Sequence, residues 1–220
     1  MATGIPVTVG ELVDTATINT WARGLLRKTT GKAVNTTTSA VDLLNGEFTL
    51  PAGAMGIDRI VRLTAWGNWK QDSGAARDIP LFQLLLGGTT MIDTNKLGGN
   101  YVAQSPTRHG WRLQCEIQNT GATNTQQAFL SGNLTTLLGV SGDYVQSIGF
   151  TTGNGVVVML ESAGGPGVPA LISYQGGAVN GTDFTGVDTT VACALVLNVK
   201  NASNNANYET KLLGALCEVI

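Results

Sequence analysis

The chain has 220 residues, a formal net charge of −2 and a sequence pI near 5.3, with 43% hydrophobic and only 13% charged residues. That length holds a sizeable core and suits a single all-β domain, while the near-neutral charge supplies no electrostatic footprint for nucleic acid or an anionic membrane. Charged residues usually make up about 25% of soluble domains, so 28 Thr and 16 Asn must do much of the covering here, and a surface so poor in charge is expected to be shielded by sister subunits or a partner.

The opening MATGIPVTVGEL lacks the charged start and apolar core of a signal peptide. The longest apolar runs, such as VACALVLNV, fall short of the roughly 20 residues a spanning helix needs. Thr8 followed by Glu11 is a capping-box pattern ahead of Leu12, Val13 and Ala16. Arg23, Arg27 and Lys28 would lie at the far end of such a helix, where cations favour its dipole, and Gly31 would cap it. TATINT has weak helix propensity and argues the other way. Residues 1–32 are therefore read as a separate arm or short helix, and residues 33–220 as one domain. An arm has no core of its own. Leu12, Val13, Ile18, Trp21 and Leu25, with Arg23 and Arg27, are the candidate assembly contacts.

From residue 33 alternation dominates, and strands are expected at 33–44, 47–50, 57–71, 79–92, 111–118, 126–138, 145–151, 155–161, 170–175, 190–200 and 208–219. In WRLQCEIQ, Leu113, Cys115 and Ile117 point one way and Arg112, Gln114, Glu116 and Gln118 the other. TVACALVLNVK repeats this with Val191, Cys193, Leu195, Leu197 and Val199 on one face. Turn signals (LPAG, LGGN, TGATN, TGNG, GGPG) separate the runs, as in a sandwich or barrel. Two segments, IVRLTAWGNWKQDSGAARDIPLFQLLL and CALVLNVKNASNNANYETKLLGALCEV, read as long hairpins around polar loops. Such hairpins near the two ends of the chain suit a jelly roll, whose terminal strands meet. Their tips supply the candidate exposed rim: Trp66, Trp69, Asp72, Asn204 and Asn205. Trp66 and Trp69 fall on opposite faces by parity, so only one of them can enter the core.

No reactive constellation is visible, and no catalytic, cofactor or metal residues are assigned. The single histidine, His109 in SPTRHGWR, reads as a solvated turn residue at a strand entrance. Asp72 and Asp78 are too few for a calcium site, which takes six to eight oxygens. Three cysteines without a CxxC read as buried thiols. The clusters LLLGGTT, TTGNGVVV and ESAGGPGVP lack the following lysine and helix of a phosphate cradle, and read as turns or bulges.

The run NGEFTLPAGAMGIDRIVRLTAWGNWKQDSGAARDIPLFQLLLGGTTMID, with the ending LVLNVKNASNNANYETKLLGALCEVI, resembles virion structural proteins of tailed bacteriophages. The resemblance covers residues 40–95 and 190–220. It implies a jelly-roll β-sandwich, non-enzymatic and commonly trimeric, carried on the particle as a head decoration (cement) subunit or appendage. Its partners would be copies of itself and the major capsid protein, with terminal anchoring segments, and it would be made in the host cytoplasm. No collagen-like or coiled-coil stalk is present, which speaks against a long fibre. The alternatives are a tail-tip, spike or head-fibre module binding a host glycan through Trp66 or Trp69, a coat protein building the shell itself, and a depolymerase-like hydrolase.

Overall fold

The computed structural model describes residues 25–72, 79–94, 105–137, 156–161, 169–179, 181, 184–201, 204 and 206–220. Among them every regular element is a strand: β1 (Leu25–Lys28), β2 (Lys32–Asn35), β3 (Val41–Asp42), β4 (Thr49–Leu50), β5 (Ile60–Gln71), β6 (Leu81–Leu86), β7 (Thr89–Asp93), β8 (Ser105–Asn119), β9 (Gln126–Leu137), β10 (Val156–Glu161), β11 (Pro169–Val179), β12 (Cys193–Lys200) and β13 (Tyr208–Val219). They form two antiparallel sheets packed face to face as a β-sandwich. The larger runs β1-β13-β5-β8-β9-β11-β10, with β2 also on β13; the smaller runs β3-β12-β6-β7, with β4 also on β12.

The period of two sets what lies between the sheets. Val61, Leu63, Ala65, Leu113, Cys115 and Ile117 of the large sheet face Phe82, Leu84, Leu86, Leu195, Leu197 and Val199 of the small one, all buried in one cluster. The partner faces of β5 and β8 carry Arg62, Thr64, Arg112, Gln114, Glu116 and Gln118. Trp111 packs on Phe82 across the sandwich, ring centroids 5.0 Å apart. It also lies over Gly67, where a Cβ would sit 2.6 Å from the indole and 1.9 Å from the Lys211 carbonyl oxygen, so only glycine fits. Val191, expected on the buried face, precedes β12 and is exposed.

Several boundaries differ from expectation. Residues 79–92 are two strands, because Gly87 (φ +54°) and Gly88 (φ +84°) form a two-residue loop between Leu86 and Thr89. Positive φ at both central positions is what a type I′ hairpin turn needs. Residues 33–44 are likewise split into β2 and β3. Residues 25–28 and 32–35, ahead of or across the expected boundary at 33, belong to the sandwich: β1 pairs with β13 from Leu25↔Glu218 to Lys28↔Ala215, and β2 continues along the same strand. The buried Lys28 ammonium donates to the Glu47 carboxylate, which supplies the partner a buried charge requires. The rest of the expected arm, with Leu12, Val13, Ile18, Trp21 and Arg23, lies outside the described residues, as does 145–151.

The two segments read as hairpins are not hairpins. β5 pairs with β13 and β8 in the large sheet, whereas β6 pairs with β12 and β7 in the small one. β12 and β13 are divided between the sheets in the same way. Both connections therefore cross the sandwich, side by side at one end: Gln71 pairs with Tyr208 in one sheet and Leu81 with Lys200 in the other. The Asp72 amide donates to the Asn207 carbonyl at 2.9 Å, joining the two crossings.

Candidate functional site

The outer face of the large sheet carries an open groove of about 510 Å³ where β13, β5 and β8 run together. Register places its side chains in three rows. Glu218, Arg62 and Glu116 form one row; Leu216, Thr64 and Gln114 the next; Gly214, Trp66 and Arg112 the third. The Arg62 Nε donates to Glu116 Oε1 at 2.8 Å, and Gln114 Nε2 donates to the same oxygen at 3.1 Å. Arg112 is exposed and has no ion pair or hydrogen bond from its guanidinium among the described residues.

Trp66 is 38% exposed. A Cβ built on Gly214 would meet its Cζ2 at 2.5 Å and Cε2 at 2.9 Å, so the indole lies down against β13. The ladder is irregular at this point, with a register shift between Leu212 and Gly214. Phe129 repeats the arrangement on the same face, where a Cβ on Gly177 would meet Phe129 Cδ1 at 3.0 Å. Arg27 of β1 is exposed and is the Cα partner of Leu216, so the structure brings this expected contact residue beside the groove.

Trp66 is thus exposed in mid-sheet, not at a rim. Trp69, expected on the rim, is 1% exposed. Parity sends it inward, where its Nε1 donates to the Thr135 carbonyl at 3.1 Å and its ring stands 6.0 Å from Tyr208. Asp72 is half-buried and Asn204 exposed at the crossing end, while Asp78 and Asn205 fall outside the described residues. His109 is a strand residue rather than a solvated turn. It pairs with Trp69, ring centroids 6.1 Å apart, and its Nε2 is buried without a hydrogen bond among the described residues. Burial holds its pKa below the ordinary histidine value.

A second polar cluster lies at the opposite end of the sandwich. Gln126 Nε2 donates to Asn119 Oδ1 at 2.8 Å and to the Val187 carbonyl at 3.0 Å, while its Oε1 accepts from the Val187 amide at 2.9 Å. Asn119 Nδ2 donates to Thr189 Oγ1 at 2.8 Å and to the Gly56 carbonyl. These amides pin the turn after Leu50 and the segment before β12 onto β8 and β9. Their polar atoms are consumed by the fold.

The thiols of Cys115, Cys193 and Cys217 are buried and free. Desolvation pushes Cys115 and Cys217 up to about 12, with the Glu218 carboxylate adding to the effect on Cys217. Such thiols are poor nucleophiles at neutral pH. Among the described residues no group of three or more His, Cys, Asp or Glu is placed to hold a metal ion.

Sequence reasoning singled out Trp66 but missed Arg62, Thr64, Arg112, Gln114, Leu216 and Glu218 as its neighbours. The available signal was the polar half of each alternation; what was missing was which strands adjoin. Comparison with protein-family models, curated proteins and solved structures returned no match.

Proposed function

We propose that this chain is a non-enzymatic structural protein of a tailed-phage virion, a head decoration subunit that oligomerises and binds the shell. The observation that carries this reading is the nesting of strand pairs. β6 pairs with β7; β5 with β8 encloses them; β3 with β12 encloses those; β2 with β13 encloses all. The pairs fall alternately in the small and the large sheet. Folding a long antiparallel ribbon over itself produces this order, which supports the jelly-roll reading and an architecture common in viral capsids and lectins. Strands β9, β11 and β10 then extend the large sheet between the eighth and twelfth strands.

Support for oligomerisation comes from that extension. Phe129, Leu171 and Val179 are large apolar side chains exposed on its outer face, on a chain with few charges. Covering 1,000 Å² of such surface would contribute roughly 25 kcal/mol gross, before the costs of association. Repetition over a symmetric shell strengthens each contact further.

The test uses the full chain and a truncation lacking residues 1–24, which leaves β1 intact. Sedimentation of the full chain should give a homo-oligomer, trimer expected, and labelled antibody should decorate phage particles. The truncation should remain folded and no longer attach. A monomer at high concentration that no particle carries would overturn the reading.

A further inference from the structure

We propose that the groove on the outer face of the large sheet binds an uncharged glycan, with one pyranose ring stacked on Trp66 and its hydroxyls held by the polar side chains around it. A tryptophan in the middle of a solvated sheet face is unusual in being neither core nor rim. Gly214 lets its indole lie flat on β13, which turns one ring face to the strand and leaves the other to the groove that Trp66 lines. The C–H face of a pyranose is the apolar, ring-sized surface that matches such a platform.

The surrounding groups are what sugar hydroxyls need. Arg112, directly across from Trp66, offers guanidinium donors that no described residue occupies. Thr64 and Gln114 form the floor. Gln114 has committed its amide nitrogen to Glu116, which leaves its carbonyl oxygen as an acceptor. Glu218 supplies a carboxylate at the far row. Leu216 provides an apolar patch between them.

Charge balance selects the class of glycan. Arg62 is met by Glu116 in an ion pair, which leaves Arg112 and Glu218 in the groove, one of each sign, with Arg27 outside the lining beside Leu216. A polyanion would meet the carboxylate and a polycation the guanidinium, so an uncharged ligand carrying both donors and acceptors is the best complement. A volume near 510 Å³ has room for it. The inference does not rest on the shell-binding reading, and either stands if the other fails.

The experiment is binding of the full chain to an array of neutral oligosaccharides built from glucose, galactose, mannose or N-acetylglucosamine, with heparin as the polyanionic comparator. At least one neutral glycan should bind, with an affinity that changes little between about 0.05 M and 0.5 M salt. Trp66→Ala should weaken it about tenfold or more, and Trp66→Phe should restore part of the loss. Gly214→Ala, which pushes the indole off the strand without touching ligand, should weaken it as well. Arg112→Ala gives a second route should Trp66→Ala fail to fold. Binding of heparin alone with loss at high salt, neutral binding that survives Trp66→Ala and Arg112→Ala, or no neutral glycan bound would each overturn the proposal.

Discussion

Trp66 and Trp69 lie on one strand, yet one lies flat in water over a glycine and the other is sealed among Tyr208, His109 and the Thr135 carbonyl. The contrast extends to the two faces of the large sheet. Each face solves the same steric problem by placing a glycine beneath an aromatic ring: Gly67 beneath Trp111 inside, Gly214 beneath Trp66 outside. Inside, the neighbours cannot move, because the small sheet closes over them. Outside, a displaced ring has solvent to enter. Stability resides on the inner face, which leaves the outer face free of that packing constraint.

Paired substitutions break or sharpen this comparison. Trp69→Ala should cost about 3–5 kcal/mol in denaturant unfolding, from lost burial and an orphaned carbonyl, whereas Trp66→Ala should stay within roughly 1 kcal/mol. Equal losses would mean the two faces do not differ as described. Gly67→Ala should cost about 3 kcal/mol, since its Cβ would strike the Lys211 backbone, and Gly214→Ala should change the melting temperature little.

Side-chain amides give the next contrast. Gln126→Ala removes four hydrogen bonds from a buried cluster and should cost about 2 kcal/mol by chemical unfolding. Gln114→Ala, in the open groove, should fall within roughly 0.5 kcal/mol.

The smallest effect is the pH dependence of His109. Its folded pKa is lowered by burial, so the unfolded chain binds the proton first as pH falls. The stabilising contribution is complete above the unfolded value of about 6.5 and is lost as pH drops from there towards the folded value. Melting curves between pH 7.5 and 5.5 should fall for the native chain and flatten in His109→Gln. An unchanged slope would place the ring in water.

Much of the sandwich was legible from periodicity. The buried faces of β8 and β12, the opposite placement of Trp66 and Trp69, and the ends of β9 and β13 follow from residue parity, because a strand with one wet face must alternate. The two apparent hairpins show where that reasoning stops. In a hairpin or in a crossing between sheets, both strands turn their apolar residues to the same core, so parity is identical. Loop length held a clue: the nine positions from Asp72 to Pro80 exceed the two to five usual in hairpins. His109 and Lys28 were misjudged for a related reason, since their burial depends on Trp69 and Glu47, distant in sequence.

The amino-acid sequence by itself determined that this chain builds strands and which side of most of them is dry. Backbone sterics and the cost of burying polar groups act over a few residues, so they can be read locally. Only the tertiary structure decided which strands adjoin, and with that the groove, whose rows take one side chain each from residues 62–66, 112–116 and 214–218. Such a surface comes from pairings that close long loops, and these pairings are chosen by the packing of the whole core rather than by any one segment.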